Sequence, residues 1–354
     1  MYTITGFWHG AATLSGRIDL SQALATHGHL LDRCTDQQLK RSDIHSRHIH
    51  RLRTSQPLSS CQDSLLLGQP TYPSGLGVVP FAPPVLFFMG NQDLLSETCV
   101  AIVGARRCTQ RGIDTARSLA HGLTQAGCVV VSGLAYGIDT AAHLARPDKT
   151  IAVLGQGIEQ AINSQKRKII ERIVSSGGLV LSEFPPKIPA SRYTFPQRNR
   201  IISGLCDGTV VVEATMRSGT RITARQTLEQ GRELMVVPGH PSDRTSTGCN
   251  TMLMEGAALI RDADDVLQCL GREVLSKQKR PLPSCSHQVR VISALDTGDT
   301  FDHIVQCTGL GQSEVSVALA ALELTGWIQR LPGDRVTVDT SAKERNLYAD
   351  TTKG

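Results

Sequence analysis

The stretch VAIVGARRCTQRG, residues 100–112, runs from an unbroken apolar segment straight into a glycine and two arginines, and an amphipathic stretch at 114–125 follows it. The same plan recurs in VVVSGLAYGIDTAAH (129–143) and TIAVLGQGI (150–158). Apolar runs at 100–103, 129–131, 151–154, 179–181, 210–212 and 234–237 alternate with helical patterns at 114–125, 138–144, 168–174 and 220–230. Val- and Ile-rich runs without polar alternation predict strands buried on both faces, hence a mostly parallel sheet covered by helices. This is the pattern of a doubly wound α/β domain, and it ends near Leu270.

Outward from this core the pattern weakens. Residues 1–65 are polar and rich in His and Arg, with a possible helix at 21–31 and a basic one at 39–52, and they read as a diverged or truncated N-terminal helical region. Pro and Gly run through 66–97, with an apolar segment at 85–88, so this stretch is expected to be an extended lead-in that packs on the sheet domain. The domain with its lead-in is placed at 66–270, and 271–286, with Lys277, Lys279, Arg280, Pro281 and Pro283, reads as a linker. Helical patterns at 289–295, 301–307 and 313–324 precede strand-like runs at 327–329 and 336–338, joined through Pro332-Gly333-Asp334. Three helices and a hairpin predict a small C-terminal winged-helix domain at 287–340, followed by a polar tail at 341–354.

Composition narrows the function classes. Of 354 residues, 40% are apolar and 19% charged, enough for full cores without staples. Aromatics are only 4%, so base stacking must rest on one or two rings. A net charge of +5 is compatible with nucleic acid without requiring it. The ten cysteines show no CxxC pair and no Cys/His cluster at zinc spacing, which argues against a metal site and for a reducing compartment. The N-terminal MYTITGFWHGAATLSGR lacks the basic and apolar regions of a signal peptide, and no run approaches 18 apolar residues. A cytoplasmic location without membrane contact is therefore expected.

Ligands of a parallel sheet bind at the carboxyl ends of its strands. The loops there hold Gly104-Ala105-Arg106-Arg107, then Ser132-Gly133 through Gly137, then Gly155-Gln156-Gly157. Such glycines either make turns or let backbone amides approach an anion, and Arg106 can clamp a phosphate. The third glycine of a dinucleotide fingerprint is absent, as is a P-loop, and no cofactor is implied. The densest feature is KIPASRYTFPQRNR, residues 187–200, with Lys187, Arg192, Arg198 and Arg200, the rings of Tyr193 and Phe195, and no acid. Basic groups can follow a phosphate backbone while an exposed ring stacks on a base. Ser132 and Ser218 lack a nucleophile elbow, and Asp139 and His143 read better as helix residues than as a catalytic pair, so the chain is not read as an enzyme.

These strings, with LVLSEFPP (179–186), YTFPQRNRIISGL (193–205), VVVEATMRSGTRITARQTLEQGRELMVVPG (210–239), GCNTMLMEGA (248–257) and the lead-in TYPSGLGVVPFAPPVLFFMG (71–90), together resemble the DNA-processing protein A (DprA/Smf) family, in its order, over about 100–260. The resemblance implies an extended Rossmann-like domain that binds single-stranded DNA without strong sequence preference. It further implies a homodimer that hands DNA to the RecA recombinase, in DNA processing and natural transformation. Matched position by position, Gly104 and Arg106 fall on the phosphate loop after the first strand, and Ser132 and Gly133 on the second. Phe195 and Arg198-Asn199-Arg200 fall on the family's basic loop, with Phe195 as stacking platform and Arg192 as a further phosphate contact. Ser218, Gly219 and Thr223 fall on the small-residue turn that closes the pocket. With Arg107, Lys187 and Gln197 beside them, these are the expected DNA-binding residues. The chain departs from the family's pattern at Ala161-Ile162, where a Tyr-Pro pair is usual, in the short ARPDK connection before Thr150, and in its N-terminal region.

Two other readings compete. A Rossmann-type nucleotide hydrolase would need a PGGxGTxxE loop, and here Pro238-Gly239 is followed by His240-Pro241. A winged-helix transcription regulator would need cations on its third helix, which carries Glu314 and Glu323 but no Lys or Arg. That helix reads as a protein-contact element, with duplex binding through Arg330 and Arg335 of the wing as the alternative.

Overall fold

The computed structural model describes residues 2–4, 6–14, 19–20, 23, 31–55, 58–60, 63–272, 285–295, 299–325, 327–331 and 335–338. The helix expected at 21–31 (all but residues 23 and 31), most of the linker, the turn at 332–334 and the polar tail lie outside these residues. The chain divides into two compact units, Met1–Val274 and Leu275–Gly354.

Strands β1 (Tyr2–Ile4) and β2 (Leu58–Ser60) pair antiparallel in a small sheet of their own. The main sheet of the first unit holds β3 (Asp63–Leu66), β4 (Val85–Gly90), β5 (Cys99–Val103), β6 (Val129–Ser132), β7 (Thr150–Leu154), β8 (Leu179–Ser182), β9 (Gly208–Val211), β10 (Glu233–Val236) and β11 (Ala258–Leu259). Their order is β11-β10-β9-β5-β6-β7-β8-β4-β3. All pairs from β11 to β8 are parallel, and β4 and β3 add antiparallel at one end. The expected mostly parallel, doubly wound architecture is present. The lead-in expected at 66–97 is more than packing material, because it supplies β4, and β3, which starts ahead of it at Asp63, adds a further strand to the sheet.

The central strands β5 to β9 bury both faces, and the alternation is visible in which core their residues join. Cys99, Ala101 and Val103 of β5 belong to one buried cluster, whereas Val100 and Ile102 belong to the other. Successive side chains of a strand point to opposite faces, so the sheet separates two cores. The N-terminal residues Phe7, Trp8, Leu39, Ile49 and Leu52 join the first cluster, making that region part of the sheet unit rather than a domain apart. In the second cluster, Ala116, Leu119, Ala120 and Leu123 form the buried stripe of helix Gln110–Gln125, at helical spacing. Thr109 caps that helix by accepting the Gly112 N–H.

The chain order reverses between β5 and β9. From β5 the sheet grows through β6, β7 and β8, then returns to β9 on the other side of β5 and continues to β10 and β11. Such a reversal leaves a crevice between the loops that leave the two strands.

In the second unit, helices Ser286–Ala294, Phe301–Thr308 and Gln312–Leu324 surround a core of Val291, Ile304, Val315, Leu319 and Trp327. Strands β12 (Asp299–Thr300), β13 (Ile328–Leu331) and β14 (Arg335–Val338) form an antiparallel sheet in the order β12-β14-β13. This is the expected winged helix.

Candidate functional site

The crevice at the chain reversal opens into a groove of about 740 Å³. Its walls are the loop after β5, with Gly104, Arg106 and Arg107, and the loop after β9, with Thr215, Arg217, Ser218 and Gly219. The third wall is the start of helix Thr194–Gly204, with Phe195, Pro196, Arg198 and Asn199, preceded by Arg192. Four arginines, 106, 107, 192 and 217, are exposed, and none is ion-paired among the described residues. Against them stands a single lining acid, Asp139, which is buried.

The floor is built from the loop after β6. Asp139, in the first turn of helix Ile138–Ala145, accepts the N–H groups of Gly133 at 3.2 Å and Ala135 at 3.3 Å. Burial raises its carboxyl above the ordinary range, while Arg198 and these amides pull the other way. Leu134 sits at φ +53°, a conformation rare for a side chain of its size, and Gly137 at φ +82°. A Cβ on Gly137 would lie 2.5 Å from the Ala105 carbonyl oxygen, so only glycine lets this turn back against the arginine loop. His143, fully buried one turn on, has its Nδ1 2.7 Å from the Thr150 hydroxyl, and burial pushes its pKa down to about 3. Lys166 is held at about 8, first by burial and then by Arg198 and Arg106, with Asp139 opposing.

The expected site residues do not all meet at the surface. Gly104, Arg106, Arg107, Arg192, Phe195, Arg198, Asn199, Ser218, Gly219 and Thr223 line the groove. Ser132 and Gly133 lie beneath it, the Ser132 hydroxyl donating to the Ile102 carbonyl at 2.5 Å. Arg198 reaches the lining from below. Its guanidinium donates to the carbonyls of Gly133, at 2.7 Å, and Val153, tying the carboxyl end of β7 to the β6 loop, and only 4% of the residue is exposed. Arg200 is turned away, buried in an ion pair with Glu183, to which Gln197 also donates at 3.2 Å. Lys187 is exposed on the segment after β8 and is not among the lining residues. The expected basic loop is thus a helix from Thr194 onward, and the helical turn sends Arg198 and Arg200 inward.

Phe195 is half-buried. Its ring lies against Gly155, where a Cβ would come within 2.8 Å of Cδ1, and the Arg106 guanidinium stands 5.3 Å from the ring centroid. Arg217 was not among the expected residues. Its signal was its place beside Ser218-Gly219 in a loop leaving a strand at its carboxyl end. Among the described residues no group of three His, Cys, Asp or Glu could hold a metal ion, and no helix is long and apolar enough to cross a membrane. In the loop that would cradle a phosphate in a nucleotide hydrolase, Gly239 N–H donates to Asn250 Oδ1 at 3.2 Å and Asn250 Nδ2 to Gly239 O at 3.0 Å.

A family model described as DNA recombination-mediator protein A matches residues 63–271, from β3 to just past the last helix of the sheet unit. The chain belongs to the DprA/Smf family. A model of the DprA winged-helix domain matches residues 280–334. The DNA processing protein DprA of Streptococcus pneumoniae is 43% identical over 199 residues, 55% of this chain and 70% of that protein. Protein Smf of Escherichia coli is 34% identical over 278 residues, 75% of this chain and 74% of that one. Among solved structures, the X-ray structure of the S. pneumoniae DprA superposes with a TM-score of 0.64 at 33% identity, covering 75% of this chain and 98% of that one. DprA from Helicobacter pylori, in a structure described as revealing its single-stranded DNA binding mode, superposes with a TM-score of 0.54 at 27% identity, covering 60% and 98%.

Proposed function

We propose that this DprA/Smf protein binds single-stranded DNA, without strong sequence preference, in the groove at the chain reversal. The observation that carries the reading is the set of exposed arginines 106, 107, 192 and 217 around one groove, with its only lining acid buried beneath. Cations that meet no carboxylate among the described residues are free to take phosphates, and each phosphate contact releases condensed counterions. The H. pylori relative's binding of single-stranded DNA supports the same ligand here. The contacts fall on Gly104, Arg106, Arg107, Arg192, Asn199, Ser218, Gly219 and Thr223. Ser132, Gly133, Gln197, Arg198 and Arg200 hold the walls in place, and Phe195 backs Arg106. In this reading the sheet domain over 66–270 is the DNA-binding part and 287–340 an accessory winged helix. The protein acts in the cytoplasm as a homodimer that passes the strand to RecA recombinase.

The test is fluorescence anisotropy of a labelled single strand and of duplex of equal length, across a salt series. A salt-sensitive preference for the single strand is expected. Arg106→Ala should reduce the slope of log K against log salt by about 0.7, one phosphate contact on a single strand. Equal affinity for duplex would shift the weight to the winged helix, and no binding to either would remove the reading. For the recombinase step, RecA ATPase on protein-coated single strand should start sooner than on strand coated with a single-strand-binding protein. An equal lag would remove that step alone.

A further inference from the structure

Just outside the groove stands the most exposed aromatic ring among the described residues, Tyr193, at 68%. A single exposed ring is ordinary on a protein surface, and what sets this one apart is how it is held beside the groove. Two features hold it in place. The Arg192 guanidinium lies over the ring, 4.8 Å from its centroid, and donates to the Tyr193 hydroxyl at 2.6 Å. Behind it, the Ser191 hydroxyl accepts from the N–H groups of Tyr193 and Thr194, both at 3.2 Å, and the Thr194 hydroxyl accepts from Ser191 N–H at 2.9 Å. The ring is therefore presented from the start of helix Thr194–Gly204 rather than carried on a free loop.

Phe195 is differently placed. With Gly155 against its ring and Arg106 over it, it is the support of a phosphate-binding arginine. Arg192 links the two regions, since it lines the groove and also covers Tyr193. A strand leaving the groove past Arg192 meets the Tyr193 ring next.

We propose that Tyr193, backed by Arg192, is a nucleobase-stacking subsite at the rim of the groove, taking one unpaired base of either purine or pyrimidine type. The subsite rests on the single-stranded DNA reading of the groove. A stacked pair of this kind is indifferent to base identity because every base has a π-face. Arg192 serves it twice, polarising one face of the ring and standing where the phosphate of the stacked nucleotide passes.

The test uses the full chain with oligothymidylate, intact or carrying a single abasic position scanned along its length. Tyr193→Ala should weaken binding to the intact strand by about 5- to 150-fold, the range for loss of one stacked base. Its salt slope should stay that of the wild type, and Tyr193→Phe should bind within about twofold of wild type, because stacking needs the ring and not the hydroxyl. At one abasic position the wild type should lose its advantage over Tyr193→Ala. Arg106→Ala separates the two readings. If Tyr193→Ala binds like wild type while Arg106→Ala binds weakly, the subsite is wrong and the groove stands. If neither is weakened, the groove reading fails with it. A Tyr193→Ala effect that flattens the salt slope, or that persists at every abasic position, would assign the loss to Arg192's charge and overturn the stacking role.

Discussion

Arg106, on the loop after β5, and Arg200, in helix Thr194–Gly204, belong to different walls of the groove, and their guanidiniums face different worlds. Arg106 is exposed, so Arg106→Ala should leave stability within about 0.5 kcal/mol while weakening DNA binding. Arg200 is paired in the interior with Glu183, and removing one partner of such a pair costs about 3–5 kcal/mol. Arg200→Ala should therefore lower the denaturant midpoint sharply, a loss of binding following only from the loss of fold. Equal unfolding curves for the two variants would contradict this division. His143 sets an acid limit on the same region. Its folded pKa of about 3 lies below the unfolded value near 6.5, so the unfolded chain binds the extra proton between those values. Its contribution to stability is full above pH 6.5 and falls by about 1.4 kcal/mol per pH unit below about pH 6. His143→Gln should flatten the stability profile between pH 6 and 4, measured by urea unfolding. Composition did not separate the arginines of 187–200, because they share one string and the partner Glu183 lies outside it. Which face of a helix each occupies is information the string lacks.

The parallel strands were legible because a strand buried on both faces leaves an unbroken apolar run, as in β5, β6 and β7. Helix Thr194–Gly204 was not, and the reason is Pro196. Proline reads as a breaker, yet it sits in the first turn, where an N–H has no acceptor within the helix and none is missed. Strands β3 and β4 were hidden for a related reason, since the prolines and glycines between them belong to the connection and not to the strands. The turn before helix Ile138–Ala145 yields the element-scale prediction. Gly137→Ala would hold an L-residue at φ +82° with its Cβ against the Ala105 and Arg106 carbonyls. A backbone position of this sort costs about 1–3 kcal/mol and is relieved only by moving the loop that carries Arg106. Lower stability together with weaker single-strand binding is expected, from unfolding and anisotropy on one sample. A stable Gly137→Ala that binds normally would show that the loop tolerates the shift.

The groove is formed entirely by residues of the first unit. A chain ending at Val274 should keep its single-strand affinity within about twofold, as expected for independent parts. A larger loss would give the winged helix a direct share in binding. That unit has little to offer a phosphate backbone on its third helix, and Arg330 of β13 is already paired with Glu323 at 3.0 Å. Duplex DNA should therefore compete poorly for the protein.

The antiparallel pair at the end of the sheet has a practical consequence for anyone shortening this protein. Without β4, the backbone of β8 would present a row of open donors and acceptors alongside the wholly buried Leu179–Ser182. A bare apolar edge of that kind templates the addition of another chain, which is how aggregation begins. At the far end β11 is only two residues long and offers little template. Fragments that begin at the first parallel strand, although they keep every wall of the groove, should precipitate where fragments beginning before Asp63 stay in solution.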